Sequence, residues 1–386
     1  MSVLLSAADM SPAMEFEQLL ALRQFSLAQA DKEAHLTPQL NGLTAWHRER
    51  CPEYARLLDV IYPHYSDGQS QAACMAEVPF LPVGLFKTHR VKSVPEEEVF
   101  KTLTSSGTTG QQVSQIVLDR ETARRQTSAL SRIMTHVLGP DRLPMILVES
   151  ASLIQDRRRF NARAAGVLGM ANFGRRHFYA LDEEMRLDRE GLRAFLDQFG
   201  GQPFLIFGFT FMVWQYFYNQ LAETGLDLSN GILIHSGGWK KLQELAIDNA
   251  EFRRRLAAAF GLTRVYNFYG MVEQVGSVYL EGEDGLFYPP NFADVIIRDP
   301  LTFAEQPIGK PGLIQVVSVL PLSYPGHSIL TEDLGVVHGI DTSTCGRSGK
   351  SFSVIGRVPK AELRGCSDVH AAMAASAQPD AIEART

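Results

Sequence analysis

An α/β fold, with parallel strands joined by crossover helices and followed by a small antiparallel β region, is what this sequence predicts. Three observations predict it. Between Gln115 and Phe268, segments of strand character alternate with segments of helical periodicity, the order that parallel strands with crossover connections require. From Val278 the helical segments stop, and β-rich arms follow one another across turns. The composition, 386 residues with 45% hydrophobic and 21% charged, is that of a globular chain able to bury a large core.

Taken in order, residues 1–100 read as a helical part of the main domain, with helical periodicity over Ala13 to Gln29 and Leu40 to Leu58 and an extended segment at Val78 to Phe86. Residues 101–277 read as the α/β core. Its predicted strands are Gln115 to Leu118, Met145 to Glu149, Phe204 to Phe207, Gly231 to His235 and Val265 to Phe268. Its predicted helices are Glu121 to Val137, Asn161 to Leu168, Arg189 to Gln198, Phe211 to Glu223 and Leu242 to Phe260. Residues 278–357 read as an antiparallel β subdomain: "VYLEGEDGLFYPP" carries a Glu-Asp-Gly turn between β-rich arms, and "ADVIIRD", "GLIQVVSVL" and "SILTEDLGVV" follow without an intervening helix. The remaining residues, 358–386, form a short tail too small for a domain of its own.

A formal net charge of −6 argues against nucleic acid as a partner, and the clusters Arg157 to Arg159 and Arg253 to Arg255 read as solvated helix faces. No apolar run reaches membrane-span length and no leader pattern opens the chain, so a cytoplasmic location is expected. Cys51, Cys74, Cys345 and Cys366 are too scattered for zinc spacing and too few for a disulfide framework, so they are expected as thiols.

Three stretches carry chemistry. "TLTSSGTTGQQ" contains Thr104, Ser105, Ser106, Gly107, Thr108, Thr109 and Gly110, a run of hydroxyls and uncovered backbone N–H groups able to wrap a polyphosphate. No Gly-Lys-Ser/Thr follows it, which disfavours a P-loop NTPase. "NFYGMVEQ" ends an apolar strand in Tyr269 and Gly270 with Glu273 three residues later, at the strand end where open α/β sheets bind ligands. Tyr269 could stack a base and Glu273 could hold Mg2+. "LTEDLG" sets Asp333 after an apolar run, as expected of a carboxylate that grips ribose hydroxyls.

In this order the stretches resemble the adenylate-forming superfamily of acyl and aryl acid ligases. The phosphate loop T-S-G-T-T-G of that superfamily stands here as Ser105 to Gly110, Y-G-x-T-E as Tyr269 to Glu273, T-G-D as Thr331 to Asp333, and the hinge G-R as Gly356-Arg357. "PVGLFKTH", "HSGGWKK" and the ending "GRVPKAELRGCS" are most similar to the acyl-protein synthetase family, the fatty-acid-activating components of bacterial luminescence reductase complexes.

The resemblance implies a large adenylate-forming domain that activates a carboxylic acid with ATP and Mg2+. It implies transfer of the acyl group to Cys366 and on to a partner such as an acyl reductase. It also assigns Arg357 and the Gly237-Gly238 turn to the nucleotide site. The acid is expected between "FLIFGFTFMVWQYF" and the His235 turn, with Phe207, Gly208 and His235 as its contacts.

The chain departs from the pattern at Val272, where the motif has threonine, at Glu332, where it has glycine, and at Gln111-Gln112. The mobile C-terminal domain that carries a catalytic lysine in relatives is truncated or absent, which points to Lys240 or Lys241 as its replacement. An aryl-acid or CoA ligase is the alternative enzyme, and a nucleotide-binding subunit without its own catalysis the alternative of another class.

Overall fold

The computed structural model describes residues 14–65, 68, 70–105, 113–155, 162–237 and 247–358. Its strands are β1 (Leu81–Pro82), β2 (Lys101–Thr104), β3 (Gln115–Leu118), β4 (Leu143–Ser150), β5 (Gly174–Leu181), β6 (Phe204–Phe209), β7 (Gly231–Ser236), β8 (Arg264–Tyr269), β9 (Tyr279–Glu281), β10 (Phe287–Tyr288), β11 (Ala293–Arg298), β12 (Gly312–Ser318), β13 (Ser328–Ile340) and β14 (Lys350–Arg357). A 12-stranded mixed sheet runs in the order β11-β12-β13-β14-β10-β9-β8-β7-β6-β4-β5, with β1 added alongside β13, and β2 and β3 form a separate hairpin.

From β5 to β8 neighbouring strands are parallel. Both faces of β4, β6 and β7 are covered, so these strands read as nearly continuous apolar runs. Met145, Leu147, Leu205, Phe207, Ile232 and Ile234 enter one core cluster, while Ile146, Val148, Phe204, Ile206 and Leu233 enter the other. The period of two along each strand sorts the side chains between the two layers. Asp119, Asp188 and Asp248 cap the helices Arg120–Leu138, Arg189–Phe199 and Asn249–Phe260 by accepting backbone N–H groups of their first turns. The parallel series ends at β8, which pairs antiparallel with β9. The strands beyond are antiparallel, as expected, and continue the same sheet.

Departures from expectation lie mostly in the helical N-terminal part. The helix expected from Ala13 is short, Phe16–Ala21, because the Gln24 side-chain amide donates to the Leu19, Leu20 and Leu22 carbonyls and closes it. The next helix, Gln29–Arg50, runs through Pro38. An interior proline costs about 3 kcal/mol, and burial of Leu36, Leu40, Leu43 and His47 on one face offsets it. Cys51 then ends that helix and Pro52 starts another, Pro52–Ile61, because proline lacks the N–H that an interior position needs and suits a first turn. Strand β5 was not expected. Its "GRRHFYAL" has an exposed, charged middle at the sheet edge and so lacks the apolar alternation of a covered strand. The helix expected over Phe211 to Glu223 contains a π-helical segment, Val213–Tyr218.

Under the N-terminal helices lies a buried polar cluster. His47 and His327 stack with ring centroids 5.1 Å apart. His47 Nδ1 meets the Ser93 hydroxyl at 2.7 Å, and His327 Nε2 meets the Thr44 hydroxyl at 3.0 Å. Burial holds His47 well below the usual histidine range and His327 at about 3. Both are neutral in the folded protein near pH 7, whereas an unfolded chain protonates them below about 6.5. The stability they allow is therefore complete above pH 6.5 and is lost as pH falls. The loss amounts to about 1.4 kcal/mol per pH unit for each ring. Melting temperature is expected to drop steadily from pH 6.5 to 5, with a shallower slope in His327→Gln. Equal slopes in parent and variant would remove the histidine from the acid response.

Candidate active site

The parallel strands stand in the order β5-β4-β6-β7-β8, so the connection leaving β4 goes one way and the connection leaving β6 goes the other. In open α/β sheets the crevice above such a reversal, at the carboxyl ends of the strands, is where ligands sit. Here Ser150, Phe209, Ser236 and Tyr269 mark those ends.

Tyr269 closes β8, and its hydroxyl donates to Asp333 Oδ2 at 2.8 Å. Asp333 lies in the middle of β13, 64 residues away in sequence. The Asp333 backbone N–H donates to the Thr331 hydroxyl at 3.1 Å, and that hydroxyl donates to the Ile314 carbonyl at 2.7 Å, which ties the strand locally to β12. On the other flank, Asp333 and Arg357 are register partners across β13 and β14, and Arg357 Nε reaches Asp333 Oδ1 at 3.3 Å. Burial, and then the charge of Asp333, pushes the Tyr269 hydroxyl well above its usual range. It therefore remains a donor, and Asp333 is the acceptor for both partners. The Arg357 side chain is 54% exposed, so the ion pair is screened and the tyrosine hydrogen bond is the firmer contact.

Glu273 follows on a single 3₁₀ turn, Val272–Gln274, and is 6% exposed. Its backbone carbonyl accepts from the Tyr324 hydroxyl at 2.8 Å, and the Gln274 side chain donates to the Gly326 carbonyl at 2.8 Å. Gly276 completes the turn at φ +92°, where a Cβ would come within 2.8 Å of the Gln126 Cα. Burial raises the Glu273 carboxyl above its usual range, and the Ser114 hydroxyl and the charges of Lys87 and Arg357 act against that rise. The Ser114 hydroxyl is itself buried and lacks a partner of ordinary hydrogen-bond geometry among the described residues, so its help to the Glu273 anion is weak.

The described flanks of the polar run, Ser105 and Ser114, meet at the neck of the β2–β3 hairpin. Ser105 N–H donates to the Ser114 carbonyl at 3.2 Å, and Ser114 N–H donates to the Ser105 hydroxyl at 2.9 Å. Thr104 is exposed at the end of β2. Ser106, Gly107, Thr108, Thr109 and Gly110 lie outside the described residues, as do Gly238, Lys240, Lys241 and Cys366. Gly270 is exposed just beyond Tyr269, and Gly237 is exposed at the end of β7 with φ +107°.

Around the expected acid pocket, Phe207 and His235 are fully buried. The Thr210 hydroxyl bridges His235 Nδ1 at 2.9 Å and the Gly237 carbonyl at 3.2 Å. Burial, with the charge of Arg253 acting in the same direction, holds His235 at about 3, so it is a neutral ring. Gly208 is a packing position: a Cβ there would come within 2.7 Å of Val213 and 2.9 Å of Val148. These residues stand beneath the crevice and set the course of the strands and the helix that bound it.

Sequence reasoning did not single out Lys87, Ser114 or Tyr324 as site residues. Lys87 Nζ lies 3.7 Å from Glu332 Oε2. The signal for it was present only as part of "PVGLFKTH", a stretch with no phosphate-loop or carboxylate pattern of its own. Two surface cavities of about 650 and 620 Å³, one lined by Tyr62, Phe80 and Arg298 and the other by Trp46, Arg50 and Pro95, include none of Lys87, Tyr269, Glu273, Asp333 or Arg357.

Residues 9–374 match the family model described as acyl-protein synthetase, LuxE. A long-chain-fatty-acid–luciferin-component ligase of Vibrio harveyi is 25% identical over 321 residues, covering 75% of this chain and 76% of its own. The protein of the same description from Aliivibrio fischeri is 24% identical over 348 residues, covering 83% and 84%. Among solved structures, the open conformation of a 2-hydroxyisobutyryl-CoA ligase in complex with 2-HIB-AMP and CoA superposes with a TM-score of 0.66 at 19% identity, covering 88% of this chain and 77% of that one. At that identity the likeness speaks for the fold.

The burial of Glu273 has a measurable consequence. Because the folded protein disfavours the charged carboxylate, Glu273→Gln is expected to melt no lower than the parent. Asp333→Ala leaves the Tyr269 hydroxyl without its acceptor, and a loss of about 1–3 kcal/mol is expected. Chemical denaturation of both variants reads this, and a Glu273→Gln protein as damaged as Asp333→Ala would contradict the account.

Proposed function

Since the chain belongs to the acyl-protein synthetase (LuxE) family, and so is a ligase, we propose that it activates a fatty acid with ATP as the acyl adenylate. It then passes the acyl group to the Cys366 thiol and on to a partner protein such as an acyl reductase. The observation that carries this reading is the convergence of Tyr269, Asp333 and Arg357 from three strands, with Glu273 on the adjoining turn.

Asp333 presents oxygens to the vicinal hydroxyls of a ribose, and Arg357 and Tyr269 hold that carboxylate in place. The Ser105 to Gly110 run offers hydroxyl and backbone N–H donors to the phosphates, and its ends are pinned by the Ser105–Ser114 pair. Among the described residues no group of three or more His, Cys, Asp or Glu could hold a metal. A single buried carboxylate suits Mg2+, which keeps most of its coordination for water and phosphate oxygens, and Glu273 would be its protein ligand. When bound, the ion supplies charge neutralisation at the phosphates. The acid would lie over the carboxyl ends of β6 and β7, above Phe207, Gly208 and His235, and Gly237 and Gly238 keep their sequence-based role as contacts of the nucleotide.

In the first step a carboxylate oxygen bonds to the α-phosphorus, and the bond to the bridging oxygen breaks, its electron pair leaving with pyrophosphate. In the second, the Cys366 thiolate bonds to the acyl carbon and the bond to the AMP oxygen breaks, its electron pair leaving with AMP; the thiol proton goes to solvent. Lys240 and Lys241 are the candidates from the sequence for charge at the first step.

Intact-protein mass spectrometry after incubation with ATP, Mg2+ and a panel of fatty acids tests the sequence of steps. An acyl adduct at Cys366 is expected, lost in Cys366→Ala while acid-dependent pyrophosphate exchange persists. Formation of a CoA thioester at an undiminished rate in Cys366→Ala, without an adduct in the parent, would replace this reading with a CoA ligase.

A further inference from the structure

We propose that Lys87 is a catalytic residue of acid activation: its ammonium group leaves Glu332 for the triphosphate of ATP and neutralises the charge that develops on the departing pyrophosphate. The inference rests on the adenylation reading above and adds to it a cation that the nucleotide motifs do not point to.

The placement of Lys87 is dictated by backbone pairing. β1 lies parallel to β13 with Leu81 opposite Ile329 and Pro82 opposite Leu330, and Val83 N–H donates to the Leu330 carbonyl at 2.9 Å. The chain therefore enters the short helix Leu85–Thr88 directly beside Thr331, Glu332 and Asp333. Phe86 is 1% exposed and packs edge-on against Tyr324, with ring centroids 6.1 Å apart. Tyr324 in turn donates to the Glu273 carbonyl. One packed unit thus carries the backbone of Lys87, the turn of Glu273 and the strand of Asp333.

The resting partner of Lys87 is weakly held. The 3.7 Å separation from Glu332 exceeds the roughly 2.7–2.9 Å of a charge-assisted hydrogen bond. The two side chains are 32% and 40% exposed, and such pairs contribute about 0–1 kcal/mol. No second ion pair of Lys87 occurs among the described residues. Arg357, the other cation of the site, is already engaged by Asp333. An incoming triphosphate, with several negative charges, outcompetes one solvated carboxylate for the ammonium group. The charge of Lys87 is also felt at Glu273. The position of Glu332, glycine in the family pattern, gains a reason: its side chain parks the lysine when ATP is absent.

No proton moves in this role. The acid oxygen bonds to the α-phosphorus, the bond to the bridging oxygen breaks with its electron pair, and Lys87 stays protonated throughout. Removing one preorganised charge from such a centre typically lowers the rate about 100- to 1000-fold.

The test combines acid-dependent pyrophosphate exchange with calorimetric binding of ATP and of AMP in the absence of acid, for the full chain and for Lys87→Met, Lys87→Arg and Glu332→Gln. Lys87→Met is expected to lose about 100-fold in exchange kcat and about tenfold in ATP affinity, with AMP affinity unchanged because AMP lacks the phosphates that Lys87 meets. Lys87→Arg should recover part of both losses, and Glu332→Gln should bind ATP about two- to fivefold more tightly. Exchange by Lys87→Met at the parent rate, or equal loss of ATP and AMP binding, overturns the role of Lys87. If Lys87→Met does not fold, an unchanged ATP affinity in Glu332→Gln overturns it instead. A parent protein that binds ATP but shows no acid-dependent exchange with any acid sinks the adenylation reading, and the catalytic role of Lys87 falls with it.

Discussion

The hydrogen bond from Tyr269 to Asp333 is the contact on which the arrangement of the site depends. It joins the last parallel strand to the centre of the antiparallel strands, two regions that meet in the sheet only through the short strands β9 and β10. A sheet that changes from parallel to antiparallel has no single twist to fix the distance between its halves. A hydroxyl kept protonated by burial and a carboxylate flanked by arginine fix that distance at one point. Glu273 follows Tyr269 on the next turn, and Arg357 is the register partner of Asp333.

Charges of both signs gather around this contact. Glu273, Glu332 and Asp333 face Lys87 and Arg357. Each cation is therefore shared rather than satisfied, and neither is sealed in the core. By contrast, the more deeply buried ion pairs, Lys350 with Asp294 and the helical Arg253 with Glu281, gain further hydrogen bonds from backbone or side-chain neighbours. Breaking a buried pair leaves an uncompensated charge, whereas a solvated pair such as Lys87 with Glu332 is readily exchanged for a ligand.

Much of the α/β core was legible because helices covering both faces of a parallel sheet demand apolar strands, and "MILVE", "FLIF" and "ILIH" are such strands whatever surrounds them. The helix starts after Asp119, Asp188 and Asp248 are local events too. Strand β5 was not legible, since an edge strand needs only one partner and keeps its charges in water. Nor was the helix through Pro38, whose local cost is outweighed only by packing that the local sequence does not display. Of the site, Tyr269, Glu273, Asp333 and Arg357 were legible as motif residues, while the roles of the loop at Ser106 to Gly110, of Lys240 and Lys241 and of Cys366 rest on the sequence alone.

By itself the sequence determined the family, the alternation of strands and helices and the residue types of the nucleotide motifs, because each of these is written in a window of a few residues. Only the tertiary structure decided that Lys87 stands at Glu332, that Asp333 receives Tyr269 and Arg357 together, and that Phe207 and His235 lie beneath the crevice. The reason is that these neighbours are made by pairings such as β1 with β13, whose partners are far apart along the chain. Their energy comes from burial and hydrogen bonding that no short stretch contains.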